Sequence, residues 1–137
     1  MVLAVYPTDE SLIFDNALAY VVLHSAGYVR IEWRLMPVVS TEFRAALGQV
    51  LALLHRTGLT RLLVDNRNLA PVWAYDCAWL LQEWAPAVAG CRCAVVENDD
   101  ALVDPALDQL GESLAKCPLY LQRSSNGATA IQWLLTL

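Results

Sequence analysis

The chain has 137 residues, which is enough for one domain with a real hydrophobic core. Its apolar fraction of 57% is high and its charged fraction of 17% is low, so either the core is large or a partner covers part of the surface. The net charge of −5, without a cluster of basic residues, argues against binding to nucleic acids or anionic membranes.

The sequence predicts neither a membrane span nor a secretory signal. Its longest apolar runs are broken by Gln49, His55 or Gly58 before they reach the roughly 20 residues that cross a bilayer. Asp9 and Glu10 stand where a signal peptide needs basic residues. We therefore expect a cytoplasmic protein with reduced cysteines.

A metal site is not expected from the metal-ligating residue types. The four cysteines are Cys77, Cys91, Cys93 and Cys117. Cys91 and Cys93 form a CxC pair, but no second close pair accompanies them, so we predict small buried side chains and no zinc site. His24 and His55 have no cysteine or carboxylate at ligand spacing. The sequence predicts no cofactor.

The first part of the chain predicts an antiparallel meander. Residues 1–10 are predicted to be a loose lead-in, and residues 12–14 and 18–23 are predicted to be short strands. The third strand, residues 28–35, alternates strictly between two faces, which is typical of a sheet with one buried face. The predicted buried side chains of this strand are Val29, Ile31, Trp33 and Leu35.

The rest of the chain alternates between helical and extended patterns. Ser40 is the predicted N-cap of the first helix, and Gly58 ends that helix. The later predictions are a strand at 62–64, a helix at 73–89 that Pro86 kinks or ends early, a strand at 93–96, a helix after Asp104-Pro105, a strand at 119–121 and a helix at 128–135.

This βββ-αβαβαβα order predicts one α/β domain over residues 1–137. The sheet is expected to be mixed, with the meander as its antiparallel edge. Strands 62–64 and 93–96 are predicted to be adjacent and parallel, joined by helix 73–89 in a right-handed crossover.

A polar loop, Asp65-Asn66-Arg67-Asn68, follows the buried strand at 62–64. Ligands of open α/β sheets bind beyond the carboxyl ends of the strands, which favours a binding role for Asp65, Asn66 and Arg67. Asp and Asn are also favourable turn residues, and Arg67 could pair with Asp65 or Asp76 inside the protein. The residue pattern leaves both interpretations open.

Asp76, Trp79 and Glu83 share one predicted face of helix 73–89. Two carboxylates beside a tryptophan could act as a general acid and base, but a solvated helix face is the better interpretation. A half-exposed tryptophan can also anchor a protein partner.

No glycine-rich phosphate loop, G-x-S-x-G or H-E-x-x-H motif occurs, so no catalytic residue is predicted. The predicted inner face is Cys77, Leu80, Leu81, Trp84 and Val88.

Three stretches resemble a known family. They are "YVRIEWR", "LLVDNRNLAPVWAYDCAWLLQEWAPAVAG" and "CAVVENDD". Between about Leu12 and Ala101 the chain resembles the bacterial SpoIIAA-like branch of the STAS-type domains. The resemblance implies a mixed sheet of four to six strands and a cytoplasmic interaction domain that is not an enzyme. Anti-sigma-factor antagonists of this family are switched by phosphorylation of a serine after this loop, whereas residues 66–86 contain no serine or threonine.

The sequence leaves three functional hypotheses open. The leading hypothesis is a non-enzymatic STAS-like interaction or regulatory module that binds a protein through loop 65–71 and the exposed side of helix 73–89. The second is a module that binds a small apolar or lipid-like ligand in a cavity lined by Trp and Leu. The third is an enzyme that uses Asp65, Asp76 and Glu83, which only the presence of carboxylates supports. The apolar surplus also predicts a homodimer, with the meander edge or an apolar helix face buried.

Overall fold

A six-stranded mixed sheet forms the centre of the protein. The computed structural model describes residues 9–117 and 119–136, so most of the predicted lead-in lies outside the described residues. The strands are β1 (Glu10–Asp15), β2 (Ala19–His24), β3 (Tyr28–Trp33), β4 (Arg61–Asp65), β5 (Arg92–Val96) and β6 (Tyr120–Ser124). They lie side by side in chain order. β1, β2 and β3 are antiparallel, and β3 to β6 are parallel, which confirms the predicted α/β class.

Helices occupy the crossovers and the C-terminal end. They are α1 (Ser40–Thr57), α2 (Ala74–Trp79), a π-helical turn (Leu80–Trp84), α3 (Ala85–Ala87), α4 (Asp99–Leu102), α5 (Pro105–Lys116) and α6 (Gly127–Leu135). The predicted parallel neighbours β4 and β5 are confirmed. The sequence analysis did not predict α4, because the three polar residues at 98–100 have the composition of a loop.

Two of the predicted helix ends follow local sequence signals, and a third does not. Gly58 has a φ of 72° and closes α1 as predicted, because a residue without a side chain adopts this conformation most easily. The Asp104 carboxylate accepts a hydrogen bond from the backbone of α5. The prediction of Ser40 as an N-cap is wrong: Val39 is the capping residue, and the Ser40 side chain bonds to another helix.

Pro86 shapes the crossover helix between β4 and β5. Proline has no backbone N–H, so it cannot bond to the carbonyl four residues earlier. The preceding turn widens, and the Ala85 N–H bonds to the Leu80 carbonyl, five residues back. The helix ends at Ala87, which agrees with the predicted kink or early end.

The two faces of the sheet have separate cores. On one face, Ile31, Leu62 and Val64 pack with side chains of α1 and with Trp84. On the other face, Leu63 and Ala94 belong to a second cluster that includes residues of α6. α6 contacts β4, β5 and β6. None of the helices in the described part of the chain is both long enough and apolar enough to span a membrane.

Candidate functional site

Two chain segments meet at the carboxyl end of the parallel strands. The segment after β3 leads to the start of α1, and the polar loop after β4 leads to the start of α2. Trp73 joins them, because its Nε1–H donates to the Val38 carbonyl at 3.1 Å. This junction is where an α/β sheet generally offers a binding site.

Asp65 and Arg67, which we call the loop pair, satisfy each other. Arg67 donates from Nε to Asp65 Oδ1 at 3.0 Å and from Nη2 to Asp65 Oδ2 at 2.7 Å. The Arg67 backbone N–H also donates to Oδ1, at 3.1 Å. A two-pronged arginine–carboxylate bond is among the stronger polar contacts in proteins. The Asp65 carboxylate is thus engaged within its own loop, as the turn interpretation predicts.

The electrostatics of Asp65 agree with this geometry. Burial alone raises the pKa of a carboxyl group, but hydrogen bonds from the side chain and backbone of Arg67 outweigh that effect and lower the Asp65 pKa. A carboxylate that is held ionised by an adjacent arginine is a weak proton acceptor. Asp65 is therefore poorly suited to be a general base.

The rest of the loop is tied to the neighbouring strand and its exit. The Asn66 backbone N–H donates to the Val96 carbonyl at 2.9 Å. The Asn98 side chain donates to the Arg67 carbonyl at 2.7 Å. The Asn66 side-chain oxygen is buried and accepts no hydrogen bond from the described residues. These contacts give the loop a scaffold role between β4 and β5.

Ser40, Arg44 and Asp76, which we call the interhelix cluster, connect α1 to α2. Asp76 is fully buried. Its Oδ1 accepts from Arg44 Nε at 2.9 Å, and its Oδ2 accepts from the Ser40 hydroxyl at 2.6 Å. A buried carboxylate needs such partners, because removing its charge from water is costly. The sequence analysis did not predict this cluster.

The predicted shared face of Asp76, Trp79 and Glu83 is not formed. Asp76 is buried, Trp79 is half-buried and Glu83 is exposed in the π-helical turn. The Trp79 ring packs edge-on against Phe43, and the Arg44 guanidinium lies 5.2 Å from its centre. The prediction failed because α1 covers the flank of α2, so the helix buries a second side in addition to the side that packs on the sheet.

Exposed aromatic rings lie beside this cluster. We call Val39, Trp73 and Tyr75 the aromatic surface. Trp73 and Tyr75 are each 57% exposed, and Val39 is 48% exposed. The two rings are stacked, with centres 6.2 Å apart and planes 11° apart. The Tyr75 hydroxyl lies 3.2 Å from the Ser40 hydroxyl oxygen. Both rings are therefore exposed and fixed.

Trp79 is half-buried, in keeping with the predicted half-exposed tryptophan, but Trp73 is the more exposed of the two. Trp73 was placed at the start of a predicted helix but not among the site residues. Trp73 comes directly after Pro71 and Val72, before the first turn of the helix, and this position is the sequence signal from which its exposure could have been predicted.

Leu35 was predicted to be buried, and this prediction is wrong. β3 ends at Trp33, and Leu35 is 82% exposed in the segment that leads to Val39.

Two concavities of the surface are open to solvent. One, of about 780 Å³, lies on the meander and is lined by residues that include Leu12, Tyr20 and Arg30. The other, of about 280 Å³, lies between the ends of α1 and α3 and has Leu54 and Cys91 in its wall. Neither is lined by tryptophan, so neither corresponds to the apolar cavity that the ligand hypothesis expects.

The cysteines do not form a reactive site in the described residues. Burial raises the pKa of the Cys93 thiol to about 12 and also raises those of Cys77 and Cys91, which disfavours the reactive thiolate. Within residues 9–117 and 119–136, no group of three or more His, Cys, Asp or Glu side chains has a geometry that could hold a metal ion.

Comparison with known proteins adds no assignment. No protein-family model matches the chain, and no curated protein or solved structure matches it either.

Proposed function

We propose that this chain is a non-enzymatic, STAS-like interaction domain that binds a protein partner through the aromatic surface. The observation that carries the proposal is the exposed, stacked pair of Trp73 and Tyr75, held at the carboxyl end of the sheet. Tryptophan and tyrosine dominate the residues that contribute most to protein–protein affinity. Because the rings are already fixed, they lose little conformational freedom when a partner binds them.

The polar residues support recognition over catalysis. The Asp65 carboxylate is bonded to Arg67, and the Asp76 carboxylate is bonded to Ser40 and Arg44. A general base must itself accept a proton from the substrate. These two carboxylates instead accept hydrogen bonds from side chains of this protein. The mixed sheet supports the STAS-like part of the proposal. Residues 66–86 contain no Ser or Thr, so a phosphoserine or phosphothreonine switch would need another position.

Photo-crosslinking in the cells of origin tests the proposal. p-Benzoylphenylalanine is placed at Tyr75 and, as a matched control, at Tyr120, which is 66% exposed on β6. A protein adduct that forms from position 75, does not form from position 120 and disappears in Trp73→Ala supports the proposal. Equal adducts from both positions, or none from position 75, contradict it. The captured protein is then purified and titrated against this chain.

Self-association is a second part of the proposal. β1 lies at the end of the described sheet, and its Leu12 is 59% exposed. An exposed strand edge with apolar side chains favours pairing with another chain. We expect a dimer in sedimentation at micromolar concentration that Leu12→Lys dissociates and Val103→Lys, a matched change at another exposed site, does not. If the unmodified protein sediments as a monomer, the homodimer proposal is wrong.

A further inference from the structure

The indole hydrogen-bond donor of the aromatic surface is used inside the protein. The Trp73 Nε1–H donates to the Val38 carbonyl at 3.1 Å. Indole nitrogen is a donor only, so Trp73 presents nothing but its ring to a partner. The remaining polar group is the Tyr75 hydroxyl, whose contact is Ser40.

The direction of the Tyr75 hydrogen bond follows from Asp76. The Ser40 hydroxyl carries one hydrogen and lies 2.6 Å from Asp76 Oδ2 and 3.2 Å from the Tyr75 oxygen. An ionised carboxylate can only accept, so Ser40 donates to Asp76. Ser40 then accepts from Tyr75, which leaves the lone pairs of the Tyr75 oxygen for a partner.

The interhelix cluster thus determines which hydrogen-bonding group the aromatic surface presents to a partner. Arg44 keeps the buried Asp76 paired, and Asp76 accepts the Ser40 hydrogen. Because that single hydrogen is used, Ser40 accepts from Tyr75 across their 3.2 Å contact. The surface presents two electron-rich ring faces and one oxygen acceptor. A cation that carries N–H groups is complementary to both, through its charge over the rings and its donors at the oxygen.

The charge of the whole chain favours the same partner. The net charge of −5 attracts a basic segment and repels an acidic one during encounter. Arg44, the cation of the interhelix cluster, is already paired with Asp76. Building on the proposed function, we infer that the aromatic surface binds an arginine or lysine side chain flanked by apolar residues of the partner protein, with Asp76 as the positioning residue.

Blocked peptides that differ at one residue test this inference. The probes are acetyl-Pro-Leu-X-Leu-Pro-amide with X as arginine, citrulline or glutamate. Citrulline is the neutral counterpart of arginine, so it isolates the charge. Binding is followed by NMR at tyrosine Cζ, the carbon that carries the hydroxyl, with Tyr75→Phe to assign the Tyr75 signal and Tyr120 as the exposed reference.

We expect the arginine peptide to shift the Tyr75 signal and to bind about tenfold more tightly than the citrulline peptide, the factor for a cation on aromatic rings. Trp73→Ala should remove this preference. Any of three results overturns the inference. The Tyr75 signal does not shift with the arginine peptide, it responds equally to the glutamate peptide, or the shift at Tyr120 is larger. A captured partner without any arginine dependence overturns the inference and leaves the proposed function standing.

Asp76→Asn tests the positioning role. Asparagine can donate to Ser40, which frees the Ser40 hydrogen for Tyr75 and reverses the direction of the chain of hydrogen bonds. The arginine preference should then fall in a protein that is still folded, while Ser40→Thr, which keeps the hydroxyl, should retain it. An unchanged preference in Asp76→Asn overturns the role of Asp76.

Discussion

Asp65 and Asp76 are both buried carboxylates with an arginine partner, but their partners lie at different distances along the chain. Asp65 bonds to Arg67, two residues later, within one turn. Asp76 bonds to Arg44, 32 residues earlier, on another helix. The first pair shapes a loop, whereas the second joins two helices beside the exposed rings. The comparison shows that the polar loop is held by its own contacts and that the proposed binding surface lies next to it.

The largest expected effect comes from Arg44→Ala. It leaves the fully buried Asp76 without its charged partner, and breaking a buried ion pair typically costs about 3 to 5 kcal/mol. Because the Arg44 side chain is itself 40% exposed, we expect a loss at the low end of that range. The free energy of unfolding in urea, at an unchanged m-value, is the measurement. A loss below about 1 kcal/mol would contradict the central place given to Asp76.

The two neighbouring tryptophans should behave in opposite ways. Trp73→Ala should lower the free energy of unfolding by only about 1 kcal/mol, the typical contribution of its hydrogen bond to Val38, and weaken partner binding about thirtyfold or more. Trp79→Ala should destabilise the fold by about 2 kcal/mol, below the full cost of a core tryptophan, because Trp79 is half-buried against Phe43. Denaturation and titration of both variants check this, and a Trp73→Ala variant that is less stable than Trp79→Ala would remove the surface assignment.

Arg67→Ala should have a smaller effect than Arg44→Ala. The Asp65 carboxylate keeps the backbone N–H of residue 67 and loses only the guanidinium, so we expect a loss of about 1 to 3 kcal/mol. Partner affinity should stay the same, because the loop pair is a scaffold in this account. Urea unfolding and the same titration provide the readouts. A stable variant that binds more weakly would instead make Arg67 a recognition residue.

The smallest effect is the pH dependence of the loop pair. The folded-state pKa of Asp65 is lowered, so its contribution to stability is complete above the unfolded pKa of about 3.9 and is lost as the pH falls through the folded value. The difference in stability between the wild type and Arg67→Ala should therefore shrink on acidification below about pH 4. A difference that stays constant down to about pH 2 would contradict the assigned pKa direction.

The sequence predicts well whatever depends on near neighbours. Alternation identified β3, an unbroken apolar run identified β4, and Gly58 marked the end of α1. The loop pair was also predictable from the sequence, because turn formation depends on residues close together in the chain. The fold class followed from the order of these elements.

The candidate site was not predictable in the same way. Asp76 looked solvated because its face of the helix is polar, and the sequence does not reveal that Arg44 and Ser40 lie against that face. The sequence predicts that Pro86 kinks or ends the helix at 73–89, but it does not predict the wider turn that precedes Pro86. Contacts between distant segments therefore decided which aromatic rings are exposed.

The strand order has a consequence for synthesis of the protein. Every strand after β1 pairs with the strand that precedes it in the chain, so a nascent chain can extend its sheet one strand at a time as it leaves the ribosome. α6 follows all six strands, and its Ala130 and Leu134 cluster with Leu63 and Ala94. Until α6 has been made, this face of the central strands lacks the helix that covers it. The face therefore stays open to aggregation and to chaperones until after the whole sheet has been synthesised.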